Sequence, residues 1–401
     1  MKNISLKVNV FWGLVASLTN PILGVFLNLY LALSRARLNH IGMALSVSLI
    51  YSYFPIMWDA RNNFVLIFYY SDYDLNTYTR FLYVLTHNIG ISYIQAYSIL
   101  SFITLFIFSR IILGKLIERK DIPYAQYLMC FATFIMCIEY RSIFDLQKTT
   151  LAISIILLSF ESKKLLLKYV CALLSIAIHP FMILALIAVI TSRLLNSLKK
   201  RDFFILMVIA SLFSLALKPE NLSSIAQFLP PVLEKVIRYL NSDDTRFSSE
   251  VVSNLVWLLR YVAFCTVCTF CIIAAPKQRS DGNRKKVFVL FMVSLTGVLT
   301  SANEVFAERV FILIVILFGY TCVRVNLPYR IFLASFMILF LNVFIHGAHT
   351  MRVAHSRDFA VVGSEDLRLS MSAKPLYFPT ILLIFHDKFG YSDDIIKKSL
   401  H

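Results

Sequence analysis

The stretch LLSIAIHPFMILAL, Leu173 to Leu186, places one imidazole and one proline in the middle of an apolar run. Read as one helix, it is a membrane span with a histidine at its centre. Read as two, the helices meet at His179-Pro180. Proline suits the first turn of a helix, where its missing N–H bonds nothing, and it interrupts a helix that runs through it. Both flanks of the run are basic. Lys163, Lys164 and Lys168 precede it, and Arg193 with Lys199, Lys200 and Arg201 follows. Basic residues collect at the cytoplasmic ends of membrane spans. A single helix would leave one cluster on the wrong side, whereas two short legs turning at His179-Pro180 keep both inside. The expectation is a break at this dipeptide, with His179 at the outer surface.

The whole chain has this character. Of its 401 residues, 58% are apolar and only 15% charged, and the mean hydropathy is +0.72. A soluble domain of this size carries about 25% charged residues. Apolar runs near membrane-spanning length recur over 8–33, 39–57, 91–112, 122–139, 145–160, 163–178, 180–196, 203–217, 251–275, 286–303, 308–323 and 330–347. The predicted fold class is therefore all-α: one polytopic membrane domain over 1–401 with about twelve spans. Val8 to Leu33 is too long for a signal-peptide core and lacks a small-residue cleavage pattern after it, so it is expected to be a span.

The formal charge of +16 fits cytoplasmic loops better than a nucleic-acid partner. Arg35/Arg37, Lys115/Arg119/Lys120, Lys163/Lys164/Lys168, Lys199/Lys200/Arg201, the KQRSDGNRKK stretch and Arg324/Arg330 occupy alternate connections. Placing all six inside puts both termini outside. Cys265, Cys268 and Cys271 recur every three residues, but in an apolar helix with no histidine or acid beside them. Buried packing accounts for them, and neither a disulfide nor a zinc site is expected.

The soluble-looking sequence lies on the outer side, at about 58–90, 218–250 and the tail 348–401. In the first loop, Asp74 is a plausible N-cap for an apolar stripe of Leu75, Tyr78, Leu82 and Leu85. In the second, PPVLEKVIRYL sets Leu233, Val236, Ile237 and Leu240 on one face. Both read as helices lying on the membrane surface. YFPTILLIF in the tail is too short to span and reads as interfacial.

Outside the cytoplasmic loops, few ionisable residues stand near the spans: Asp59, Arg61, Asp72, Asp74, Glu139, Arg141, Asp145, Lys148, His179, Arg260, Glu304, Glu308 and Arg309. All but Arg260, which lies a turn or two inside a span, map to outer helix ends or outer loops. Burying such groups is costly, so they are candidates for function, with snorkelling or a structural ion pair as the plainer role. Arginine and lysine gathered on one side suit a phosphate or pyrophosphate. Arg141 and Lys148 stand seven residues apart and share a face if the stretch is helical, with Asp145 between them as a possible ion-pair partner. SDYD, Ser71 to Asp74, has the D-x-D spacing of some metal sites, but that spacing is common. No glycine-rich phosphate loop, G-x-S-x-G or HExxH motif is present.

Four segments resemble the Wzy-type O-antigen polymerases and the related EpsG-like exopolysaccharide polymerases of bacteria. SDYDLNTYTRFLYVL resembles an acidic, tyrosine-rich first outer loop, and LQKTTLAISIILLSF the R-Q-x-L-A opening of a middle span. IAIHP resembles a histidine turn, and AERVFILIVILFGY a late span opening with arginine. Lys148 stands where that family usually has arginine before the leucine-alanine pair, so either Lys148 or Arg141 takes that place. The resemblance implies a GT-C-like glycosyltransferase of the bacterial inner membrane, with its active site facing the periplasm. It further implies a growing glycan on undecaprenyl pyrophosphate as donor and a lipid-linked repeat unit as acceptor. Arg141, Lys148 and Arg309 would hold the pyrophosphate, with Arg260 in reserve. His179, then Asp74 or Asp72, would act as base. No metal or other cofactor is implied. The implied partners are the undecaprenyl-pyrophosphate-linked oligosaccharide, the lipid bilayer and a chain-length regulator protein. A flippase or transporter of lipid-linked oligosaccharide, and an O-antigen ligase, are the alternatives.

Overall fold

The computed structural model describes residues 2–54, 56, 58–69, 76–192, 198–216, 250–278, 280–301, 304–354, 375–376 and 379–385. They belong to two compact units, Met1–Met182 with Gly347–His401 and Ile183–His346. Every regular element among the described residues is helical. Tyr93–Glu118, Asn254–Lys277 and Tyr329–Ala348 are long and apolar enough to cross a membrane. Large apolar side chains such as Leu166, Leu173, Leu212 and Phe213 face outward. Exposed apolar surface on this scale needs a lipid or protein covering.

The first unit begins with α1 (Lys2–Thr19), α2 (Pro21–Leu33) and α3 (His40–Ser52). The expected single span over 8–33 is two helices. Asn20 ends α1, and its side chain accepts the N–H groups of Ile22 and Leu23, while Pro21 opens α2. The two helices fold back on each other. The Asn28 amide donates to the Gly13 carbonyl at 3.3 Å and to the Ser17 hydroxyl at 3.2 Å. A Cβ on Gly24 would lie 2.6 Å from the Ser17 Cα, so only glycine permits this approach. The hairpin returns the chain to the side on which it began. The N-terminus therefore lies on the side of Arg35 and Arg37, opposite to the side expected for it from a single span.

The first loop expected on the outer side contains α4 (Trp58–Tyr69) and α5 (Thr77–Tyr83). The cap of α5 is Asn76, whose side chain accepts the Tyr78 and Thr79 N–H groups, and not Asp74. Of the expected apolar stripe, Leu75 lies outside the described residues, and Tyr78, Leu82 and Leu85 face protein, all three being buried. Then come α6 (Tyr93–Glu118), α7 (Tyr124–Cys137), α8 (Gln147–Glu161) and α9 (Leu165–Ile178). The α8–α9 hairpin is pinned by the Ser159 hydroxyl donating to the Lys168 carbonyl and the Ser175 hydroxyl donating to the Ala152 carbonyl.

The chain does break at the dipeptide that decides the reading. Helix α9 stops at Ile178, His179 is extended (φ −141°, ψ 105°), and Pro180–Met182 forms a short 3-10 turn before α10 (Ile183–Thr191).

In the second unit, α10 is followed by α11 (Lys200–Ala216), α12 (Glu250–Ala274), α13 (Asp281–Thr300), α14 (Glu304–Cys322) and most of α15 (Tyr329–Ala354). Helix α13 is central and touches α10, α11, α12 and α14 through a buried row that includes Val287, Leu290, Phe291 and Val298. The 218–249 part of the second outer loop lies outside the described residues, as does most of the tail. From the tail, α16 (Thr380–Phe385) packs on α1 and α3, with the Thr380 hydroxyl donating to the Ser17 carbonyl.

Candidate functional site

In the first unit the polar chemistry collects where α8 begins. Glu139 follows the end of α7, and its carboxylate accepts the N–H of Arg141 at 3.3 Å and of Ser142 at 3.0 Å. The Ser142 hydroxyl donates to it at 2.6 Å. This cap starts a buried π-helical turn, Arg141–Asp145. Such turns displace side chains from regular helical positions and are frequent at functional sites. Leu146 (φ −86°, ψ 32°) then interrupts the helix before α8. Arg141 and Lys148 are therefore not two turns apart on one continuous helix, because a break lies between them.

Asp145 is 2% exposed and serves two partners. One carboxylate oxygen accepts the N–H groups of Asp59 (2.8 Å) and Ala60 (3.3 Å), capping the first turn of α4. The other lies 3.9 Å from Nε of Arg141. The ion pair anticipated as the plain role of Asp145 is thus present, and it holds the guanidinium at this end of the unit. The neighbouring Gln147 is fully buried. Its amide donates to the Tyr97 carbonyl at 2.7 Å and the Ser101 hydroxyl at 2.6 Å, and its carbonyl oxygen accepts the Tyr78 hydroxyl at 2.7 Å. Gln147 therefore ties α5 to the start of α8.

His179 joins the same end. The Ser159–Lys168 and Ser175–Ala152 bonds share one antiparallel register, and extending it sets His179 level with Lys148, opposite the basic turn at Lys163 and Lys164. Helix α9 also touches α5. The imidazole has a local role, in which its Nδ1 accepts the Phe181 N–H at 3.3 Å while the His179 carbonyl accepts the Met182 N–H at 2.9 Å. It acts as an N-cap for the next turn. With Nδ1 accepting, the neutral ring carries its proton on Nε2 and donates there.

Arg141, Lys148 and His179 are thus brought to one end of the first unit. Asp72 and Asp74 lie outside the described residues.

The second unit has its own charged cluster. Arg260 on α12 is 2% exposed, and its Nη2 lies within 3.4 Å of the His346 ring on α15. Nε2 of His346 lies 3.2 Å from the carboxylate of Glu308 on α14. Arg309, the next residue on α14, is half-buried. The sequence reading misses Gln147, Tyr78 and His346 as members of these clusters. A glutamine opening an apolar run and a histidine inside the last long apolar helix are the signals that could have found them.

No protein-family profile, curated protein or solved structure matches the chain.

Proposed function

We propose that the chain is a polysaccharide polymerase of a bacterial inner membrane, with about twelve spans in a GT-C-like arrangement and an active site on the periplasmic face. It transfers a growing glycan from undecaprenyl pyrophosphate to a lipid-linked repeat unit. The observation that carries this reading is the gathering of Arg141, Lys148 and His179 at the end of the α8–α9 hairpin remote from its basic turn. The positive-inside rule assigns that end to the outside.

The reaction forms a bond between an acceptor hydroxyl oxygen and the donor's anomeric carbon as the bond from that carbon to pyrophosphate breaks. The electron pair departs with undecaprenyl pyrophosphate, and the hydroxyl proton passes to a base. Cations fixed beside the leaving group stabilise the charge it gains. Arg141 and Lys148 of the first unit are assigned that role; for Arg309 and Arg260 of the second unit the proposal keeps the pyrophosphate contact that the resemblance implies. A guanidinium already held by Asp145 needs no reorganisation when the charge develops. His179 is the first candidate base, followed by Asp74 and Asp72. To take a proton on Nδ1 it must release the Phe181 amide, whereas on Nε2 the neutral ring is a donor toward substrate oxygen.

The test is reconstitution of the purified protein in vesicles with a lipid-linked repeat unit as sole substrate. A ladder of longer lipid-linked oligosaccharides should form, with one undecaprenyl pyrophosphate released per linkage. Movement of the repeat unit between leaflets without elongation would instead support a flippase.

A further inference from the structure

Three helices of the second unit each contribute one polar group to a buried chain: Arg260 from α12, His346 from α15 and Glu308 from α14. The direction of each bond follows from the chemistry. Nη2 of Arg260 is almost equidistant from the two ring nitrogens, 3.4 Å from Nδ1 and 3.3 Å from Nε2. A guanidinium only donates, and a neutral imidazole has one acceptor nitrogen. Nε2 faces the Glu308 carboxylate at 3.2 Å, which only accepts when ionised, so the proton sits on Nε2 and Nδ1 is left to accept from Arg260. Glu308 thereby fixes the tautomer, as carboxylates behind metal-bound histidines do. The cluster is charge-balanced, with a neutral ring between a cation and an anion.

The surroundings restrict Arg260 further. Phe311, one turn beyond Glu308 on the same face of α14, sets its ring 6.0 Å from the guanidinium. One turn before His346, the Asn342 amide donates to the Val256 carbonyl, fixing α15 against α12. Side chains lean toward the N-terminus of their helix. Arg260 accordingly extends toward the same end of the unit as Glu308, which is in the second turn of α14.

We propose that His346 is a positioning residue for Arg260, and that Glu308 positions His346. Together they aim the guanidinium of the second unit at an anionic phosphate ester. The proposal rests on the pyrophosphate role assigned to Arg260 above. It adds two residues to which the sequence reading gave no role in that site. A protonated His346 has no acceptor for Arg260 and carries like charge beside it, so the arrangement holds only while the ring is neutral. Among the described residues, the charged groups at the ring include Arg260 on α12 and Glu308 on α14, and Arg309 is the next residue on α14.

The experiment is inorganic pyrophosphate binding by the full-length protein in nanodiscs, at several pH values. The variants are Arg260→Met, His346→Phe, His346→Asn and Glu308→Gln, each checked for folded yield and Tm. Native protein should bind, and His346→Phe and Arg260→Met should each weaken binding at least tenfold. His346→Asn, which keeps an acceptor near Nδ1, should recover most of the loss, and Glu308→Gln should fall between. Native affinity should also decline on acidification more steeply than that of His346→Asn. Should His346→Phe fold poorly, the Glu308→Gln result and the pH comparison decide. Native-like affinity and pH dependence in folded His346→Phe or Glu308→Gln protein would overturn the proposal alone. A native protein that does not bind pyrophosphate would overturn the functional reading and this proposal with it.

Discussion

The carboxylate of Asp145 accepts the backbone N–H of Asp59 at 2.8 Å, across 86 residues of sequence. One side chain thus caps the first outer-loop helix and, through its other oxygen, stands beside the guanidinium of Arg141. Loop position and cation position are set by the same carboxylate. Gln147, two residues on, repeats the arrangement with neutral groups by holding Tyr78. The loop carrying α4 and α5 is therefore part of the site's framework.

Replacing Asp145 separates these two roles. Asp145→Asn keeps an oxygen for the Asp59 and Ala60 amides but removes the charge beside Arg141. Asp145→Ala removes both, leaving a buried cation without this partner at a cost of about 3 kcal/mol, and removes a helix cap worth about 1 kcal/mol. The Asn variant should fold with a modestly lowered Tm and make markedly less polymer. The Ala variant should express poorly. Native polymer levels from the Asn variant would show that the charge of Asp145 is dispensable.

Sidedness is open to direct labelling. In a background with the seven native cysteines replaced, Phe181→Cys should react with a membrane-impermeant maleimide applied to spheroplasts. Leu198→Cys, beside Lys199, should react only after the membrane is broken. Asn3→Cys should behave like Leu198→Cys, because the Asn20-Pro21 hairpin returns the N-terminus to the basic side. Labelling of Asn3→Cys in intact spheroplasts would contradict that placement.

His179 is tested by two amides. The oxygen of Asn falls near Nδ1 and can accept the Phe181 N–H, whereas Gln places its amide near Nε2. A capping role alone is expected to let His179→Asn work as well as the native protein. Proton transfer cannot be performed by either amide near neutral pH. Both variants should insert normally, with Asn the more stable, and both should make little polymer. Native chain length from His179→Asn would reduce the histidine to a cap and move the base to Asp74.

Much of this was legible because apolar length and basic punctuation are strong signals. The helix boundaries from α6 to α9 fall within about two residues of those read from hydropathy, except that α6 runs on past 112 to Glu118, and the break at His179-Pro180 follows from proline's missing donor. Asn20-Pro21 carries the same kind of signal, a capping side chain followed by proline at the first helical position. It escapes a hydropathy reading because apolar residues continue across it, and only the contacts of Asn28 and Gly24 reveal the reversal. The Asp74 cap failed for a narrower reason: Asn76, two residues later, caps equally well, and propensity does not choose between them. Arg141 and Arg260 stood out because a cation in an apolar run is costly. Gln147 and His346 did not, since each acts through a partner, Tyr78 or Arg260, that lies 69 or 86 residues away in sequence. Only folding supplies such partners.

The most direct test of the polymerase account is the chain-length distribution of surface polysaccharide in the host. Compared by gel should be the native strain, a strain lacking the gene, and that strain carrying either the native gene or one encoding Arg141→Ala. The account expects the deletion strain to display single repeat units only, the native gene to restore the long-chain ladder, and the Arg141→Ala protein, present at native levels, to leave single units. A full ladder in the deletion strain, or complete loss of polysaccharide including the single unit, would contradict it.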